Sequence, residues 1–295
     1  MKKDALEPFA AEILTLAPKT AWTRREFVVS TLAAGFALAV QPVSAQTVIT
    51  TSADGLTAGE VKIPVKDGSI PAYRAMPAGA HDAPLILVIH EIFGVHEHIK
   101  DICRRLAKLG AMAVAPELFA RQGDVSKLSD VREIMDKIVS KVPDAQVMHD
   151  LDATIAWARS NGAHPSKLGI TGFCWGGRIV WLYCAYNPAV KAGAAWYGRL
   201  RGDYDELHPV HPIDVAPELK VPVVGLYGGN DPSIPLADVE EMRNRLQYSG
   251  SHSFIRIFPP ASHAFFADYR SSYDKKSAEA AWQQMLEWFK QYGVF

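Results

Sequence analysis

Short apolar runs alternate with longer stretches of helical periodicity along most of the chain, and this constrains the fold more than any other feature. Residues 85–90, 111–115, 168–173, 192–197, 221–227 and 254–258 form runs rich in Val, Ile, Leu and small side chains. Between or after them, apolar residues recur at three- and four-residue spacing near 99–109, 129–140, 145–160, 176–186, 236–247 and 277–292. A strand that is apolar at consecutive positions needs cover on both faces, because successive side chains point to opposite sides. Helices inserted between such strands supply the cover and return the chain so that each strand runs parallel to the last. The pattern predicts an α/β protein, a mostly parallel sheet with helices on both faces. Ahead of it, residues 60–65 and 71–75 flank Asp67-Gly68, a turn pair, so the sheet is expected to open with an antiparallel hairpin. The loop 199–220 contains three prolines and two histidines but lies between two strand runs, and no repeat or linker divides the chain. Residues 46–295 therefore read as one domain.

The first 45 residues read differently. Thr23-Arg24-Arg25-Glu26-Phe27 precedes an uncharged stretch from Val28 to Val40, and Val43-Ser44-Ala45 follows as a small-residue cleavage site. Basic pair, apolar stretch and cleavage site in that order read as a twin-arginine export signal over residues 1–45; an uncleaved signal-anchor helix is the alternative. The stretch has 13 residues, short of the roughly 20 that a spanning helix needs. The twin-arginine export machinery is thus an expected partner, and the expected location is periplasmic or secreted.

Charge and cysteine content exclude other classes. Lys plus Arg number 31 against 32 Asp plus Glu, a formal net charge of −1, so no basic field draws nucleic acid or anionic lipid. The three cysteines include no Cys-x-x-Cys pair and no Cys/His zinc spacing, which excludes a disulfide framework and a structural zinc site. Cys103 and Cys184 lie in helical stretches and read as small core residues, as Trp181, Tyr183 and Tyr186 read as core aromatics.

Cys174 is different. Gly172-Phe173-Cys174-Trp175-Gly176-Gly177 follows a strand run and opens a helix, the small-x-nucleophile-x-small elbow with sulfur in place of oxygen. A reversal this sharp strains the nucleophile's backbone and leaves no room for side chains where strand and helix close. A thiol at a helix N-terminus is also favoured as thiolate. By itself the motif equally fits a buried cysteine beside a glycine-rich turn. Asp231, in Gly228-Gly229-Asn230-Asp231, and His263, in Ser262-His263-Ala264-Phe265, each fall past the carboxyl end of their own strand, where open α/β sheets place ligands. Nucleophile, acid, base is the chain order of the α/β-hydrolase triad, so Cys174, Asp231 and His263 are the candidate catalytic set and the α/β-hydrolase fold the expected architecture. His263 would take the thiol proton and Asp231 would fix the imidazole tautomer.

His90-Glu91-Ile92-Phe93-Gly94 follows the strand run 85–90, where this fold keeps its second oxyanion loop, so the backbone N–H groups of Ile92 and Trp175 are the candidate oxyanion donors. His90, His96 and His98 with Glu91 and Glu97 lack the His-Glu-x-x-His or other metal-site spacing, and neither a metal nor another cofactor is expected. Tyr197, ending a strand at the same edge, is a candidate pocket residue.

From about Glu60 to Phe295 the chain resembles the dienelactone hydrolase (carboxymethylenebutenolidase) family. The resemblance rests on His-Glu-Ile-Phe-Gly at 90–94, Pro-Glu-Leu-Phe-Ala-Arg-Gln at 116–122, Gly-Phe-Cys-Trp-Gly-Gly at 172–177, His-Pro-Ile-Asp at 211–214, Leu-Tyr-Gly-Gly-Asn-Asp at 226–231 and His-Ala-Phe at 263–265. It implies Cys174, Asp231 and His263 as the triad, Glu91 as a carboxylate that modulates the thiol, and Arg121 as half of a clamp on a substrate carboxylate, a role suited to a bidentate guanidinium. The family's second clamp arginine stands four residues after the catalytic histidine, where this chain has Ala267; Arg270, in Asp268-Tyr269-Arg270, is the candidate replacement. The reading is an exported hydrolase that opens a dienelactone-like lactone or cleaves a small ester through an acyl-enzyme, without cofactor, as a monomer or small oligomer. The alternatives are a general carboxylesterase or thioesterase acting on neutral acyl groups, and a non-catalytic periplasmic binding protein on the same fold.

Overall fold

The computed structural model describes residues 50–128 and 130–295. The segment expected to be an export signal, residues 1–45, lies outside the described residues. The chain opens with β1 (Leu56–Val65) and β2 (Gly68–Pro77), and continues through β3 (Ala83–Ile89), α1 (Glu97–Lys108), β4 (Met112–Pro116), α2 (Val131–Lys137), α3 (Asp144–Ser160) and β5 (Ala163–Phe173). It ends with α4 (Trp175–Tyr186), β6 (Ala192–Trp196), α5 (Pro212–Val215), β7 (Val223–Gly228), α6 (Leu236–Tyr248), β8 (Phe254–Phe258) and α7 (Lys275–Gln291).

The expected sheet is present. Its order is β1-β2-β4-β3-β5-β6-β7-β8, with β3 to β8 parallel and β1 and β2 joined antiparallel across Lys66-Asp67, where Val65 pairs with Gly68. Every residue from Leu85 to Ile89 is buried, so both faces of β3 are covered, as the unbroken apolar run requires. Strand β3 lies between β4 and β5, so the chain first builds outward on one side and then crosses to the other. At such a switch point the loops leaving the carboxyl ends of β3 and β5 diverge and open a crevice. Those two loops carry Glu91-Ile92 and Cys174.

Local differences from the sequence reading have physical causes. The stretch 129–140 does not run as one helix: α2 stops at Ile138, a β-branched residue at φ −120° and ψ −70°, and a short 3-10 turn leads to Pro143 ahead of α3; Ser129 lies outside the described residues. Tyr186 is not a core aromatic. It is 48% exposed at the end of α4, with its hydroxyl on Asp152, whereas Trp181, Tyr183, Cys103 and Cys184 are buried as expected. The loop 199–220 contains α5 and is fastened to the core: Arg178, in the first turns of α4, forms a two-pronged ion pair with Asp144 (2.6 and 2.7 Å) and donates to Val210 O. Among the described residues no helix is long and apolar enough to cross a membrane.

Candidate active site

Cys174 makes the turn between β5 and α4 alone, at φ 54° and ψ −113°. Its backbone is held there because its N–H donates to Trp196 O at 3.0 Å and its carbonyl accepts from Gly177 N at 3.0 Å. The flanking glycines are dictated by close approach: a Cβ on Gly172 would lie 2.4 Å from Gly176 O, and one on Gly176 would lie 2.4 Å from Ile89 O. Trp175 is the first residue of α4, so its N–H has no acceptor within the helix. Four described non-glycine residues have positive φ, and three of them, Cys174, Tyr197 (37°) and Ala264 (56°), stand in the loops at this edge of the sheet. Backbone strain of this kind persists only where surrounding contacts over-determine it.

Asp231 and His263 are brought together by the loops after β7 and β8. Gly228 and Gly229 press against the backbone of 259–262, and Asn230 N donates to Ala261 O at 2.8 Å. Asp231 Oδ1 accepts from Ser233 N at 2.8 Å, which aims Oδ2 at His263 Nδ1, also 2.8 Å away. Both side chains are buried. A carboxylate on Nδ1 places the proton there and makes Nε2 the basic nitrogen. The Tyr197 ring packs edge-on against the His263 ring, with centroids 5.3 Å apart. Burial, then the charge of Glu91, raises the Tyr197 phenol well above its ordinary range, and the nearby Cys174 adds to the effect.

Glu91, whose charge acts on Tyr197, is fully buried. Tyr269 O–H donates to Oε2 at 2.5 Å, Arg270 Nη2 donates to Oε1 at 3.3 Å, and His96 Nε2 lies 3.4 Å from Oε2. Burial works to raise its pKa, but the Arg270 charge and His96 outweigh it and hold the carboxyl down to about 2. Arg270 is itself buried between the rings of Phe93 and Tyr269. Its guanidinium, the candidate replacement for the second clamp arginine, pairs here with Glu91. Arg121, the other candidate clamp residue, is paired as well. Its Nε and Nη2 donate to Asp67 at 2.6 Å each, and its Nη1 and Nη2 donate to Asp150 at 2.6 and 3.0 Å. The hairpin turn and α3 already supply two carboxylates to the fork that was expected to hold a third.

The neighbouring histidines have structural partners. His90 accepts Leu118 N–H at Nε2 and therefore donates from Nδ1 to Glu91 O, 2.7 Å away, while its ring stacks on Trp175. His98 pairs with Asp268, which Arg105 also holds. Ile92 follows Glu91 directly in the turn after β3 and is buried. Sequence reasoning missed Tyr269 and His96 as partners of Glu91. Tyr269 is adjacent to Arg270, but nothing local marks a tyrosine that reaches back 178 residues.

This sheet, the elbow after β5 and the Asp-His pair after β7 and β8 define an α/β-hydrolase. The sequence profile of the dienelactone hydrolase family matches residues 70–293, and the chain belongs to that family. It is 59% identical over 287 residues (97% of this chain, 99% of the relative) to a Methylorubrum extorquens protein named "Putative carboxymethylenebutenolidase". It is 50% identical over 265 residues (90% and 97%) to an Escherichia coli K12 protein of the same name. The crystal structure of a "Putative Dienelactone Hydrolase" from Klebsiella pneumoniae superposes with a TM-score of 0.79 at 51% identity, covering 80% of this chain and 99% of that one. The protein is a hydrolase of the carboxylic ester class.

Proposed function

We propose that the protein opens a lactone or cleaves a small carboxylic ester by thiol nucleophilic catalysis. The observation that carries this reading is the His263 Nδ1 to Asp231 Oδ2 pair at 2.8 Å, at the same sheet edge as the strained Cys174 elbow and joined to it by Tyr197. In the proposed reaction the thiol proton passes to His263 Nε2, and Sγ bonds to the carbonyl carbon. The C=O electron pair moves to oxygen, where the Ile92 and Trp175 N–H groups receive it. The tetrahedral species collapses to a thioester and the alkoxide takes the proton from His263; in a lactone it stays tethered and the ring opens. Water, deprotonated by His263, then releases the acid and regenerates the thiol. Glu91, ionised and beside this pocket, is assigned to tuning the thiol.

The occupied forks of Arg121 and Arg270 favour a second reading of the substrate, a neutral acyl group rather than an anionic lactone. Turnover of dienelactone, followed by its ultraviolet absorbance, is to be compared with turnover of a neutral aryl acetate, for the wild-type protein and Cys174→Ala. Both activities are expected to vanish in the variant, and retention of either would overturn the thiol mechanism. Faster turnover of the acetate would assign neutral esters, and faster turnover of the charged lactone would restore the anionic reading. Export by the twin-arginine route belongs to the same proposal. Its support is Arg24-Arg25, the apolar stretch and Ala45, and Arg24→Lys/Arg25→Lys is expected to retain the protein in the cytoplasm on cell fractionation.

A further inference from the structure

Two buried tyrosines stand at the carboxyl edge of neighbouring strands and differ in one respect. Tyr227, next to last in β7, has its hydroxyl satisfied: it accepts from Trp181 Nε1 at 3.1 Å and donates to Gly198 O at 2.9 Å. Tyr197, directly after β6, is fully buried, and among the described residues its hydroxyl has no hydrogen-bond partner. A hydroxyl stripped of water and given nothing in return is destabilising, and native structures rarely keep one without use. The fold nevertheless goes to some length to place it. The backbone of Tyr197 sits at φ 37°, its N–H is fixed on Leu226 O at 2.9 Å, and the carbonyl just before it receives Cys174 N–H. Gly198 lets the chain press so closely on α4 that a Cβ there would lie 2.3 Å from Gly177 C. His263, Phe265 and Phe173 wall in the ring.

We propose that the Tyr197 hydroxyl donates a hydrogen bond to the substrate oxygen that gains charge as Cys174 Sγ adds to the carbonyl carbon, which makes Tyr197 a catalytic residue. The inference rests on the thiol reading above. As the S–C bond forms and the C=O pair moves to oxygen, Tyr197 keeps its proton throughout. Burial and the nearby negative groups hold the phenol in its neutral form, so it serves as a donor and not as a base. Its partner arrives only with substrate, which explains an orphaned hydroxyl in the strained, walled pocket of the nucleophile.

The test is Tyr197→Phe, which removes one oxygen, measured beside Cys174→Ala and Tyr227→Phe for kcat, KM and thermal midpoint. For Tyr197→Phe the expected result is a kcat about 10- to 100-fold lower, KM within about threefold and a thermal midpoint unchanged or raised. Tyr227→Phe, which removes a partnered hydroxyl, is expected to lower the midpoint and leave kcat within about twofold. A kcat for Tyr197→Phe within twofold of wild type, a loss confined to KM, or a midpoint lowered as far as in Tyr227→Phe would overturn the proposal. Failure of this inference alone would appear as a dead Cys174→Ala with a fully active Tyr197→Phe. Activity retained in Cys174→Ala would instead overturn the mechanism on which it rests.

Discussion

Replacing Glu91 by Gln removes a carboxylate that faces the fully buried guanidinium of Arg270, and the cost can be worked from the environment of that pair. The carboxyl is held down to about 2 from an ordinary 4.5, against burial, by Arg270 and His96. At about 1.4 kcal/mol per pKa unit, this depression contributes about 3 kcal/mol of stability. A carboxylate depressed in the folded state stabilises above its unfolded pKa, and the contribution is lost as pH falls from about 4.5 through about 2. The gap between wild type and Glu91→Gln is therefore expected to be about 3 to 5 kcal/mol at pH 7, the range for a broken buried ion pair, and to narrow by about 2 kcal/mol between pH 5 and pH 3. Urea unfolding of both proteins at pH 7, 5 and 3 measures it. A gap below about 1 kcal/mol at pH 7, or one that stays constant on acidification, would refute the assignment of Glu91 as an ionised partner of Arg270.

Two further outcomes follow from the same geometry. Gly176→Ala would drive a Cβ to 2.4 Å from the backbone oxygen of Ile89, which cannot yield as a flexible side chain would; a loss of about 1 to 3 kcal/mol is expected in urea, together with a fall in kcat as the elbow shifts. Unchanged stability and kcat would contradict the tight elbow. Asp67→Asn removes one partner of Arg121 at an exposed turn while Asp150 still holds it, so stability should change by less than about 1 kcal/mol and the ratio of KM for the anionic lactone to that for the neutral acetate should stay unchanged. A KM for the lactone that falls relative to the acetate would mean that a released Arg121 reads an anionic acyl group and would count against the neutral reading.

The legible parts of this protein are those governed by short-range rules. Strand and helix periods, the Asp67-Gly68 hairpin and the glycines around Cys174 are local, because backbone conformation and close approach act over a few residues. Ile138 shows the limit even there: the helical pattern continues through it, but Pro143 and the start of α3 decide where the chain must turn. Cys174, Asp231 and His263 were legible as candidates because each follows its own strand and the topology brings carboxyl ends to one edge.

The partners of the charged groups were not legible, for a different reason. Arg121 finds Asp67 54 residues away and Asp150 29 residues away, and Tyr269 reaches Glu91 across 178. No period or spacing encodes such meetings; they arise from the order in which the strands are laid down and the packing of loops upon them. By itself the sequence determined the alternating α/β architecture, the nucleophile elbow and the order of the candidate triad, since local sterics and hydrophobic periodicity are written residue by residue. Only the tertiary structure decided that Arg121 pairs with Asp67 and Asp150 and Arg270 with Glu91, that Glu91 is held ionised, and that Tyr197 carries a buried hydroxyl with no partner among the described residues. Electrostatics and desolvation depend on what three-dimensional packing places within a few ångströms, and that distance is not a property of the chain before it folds.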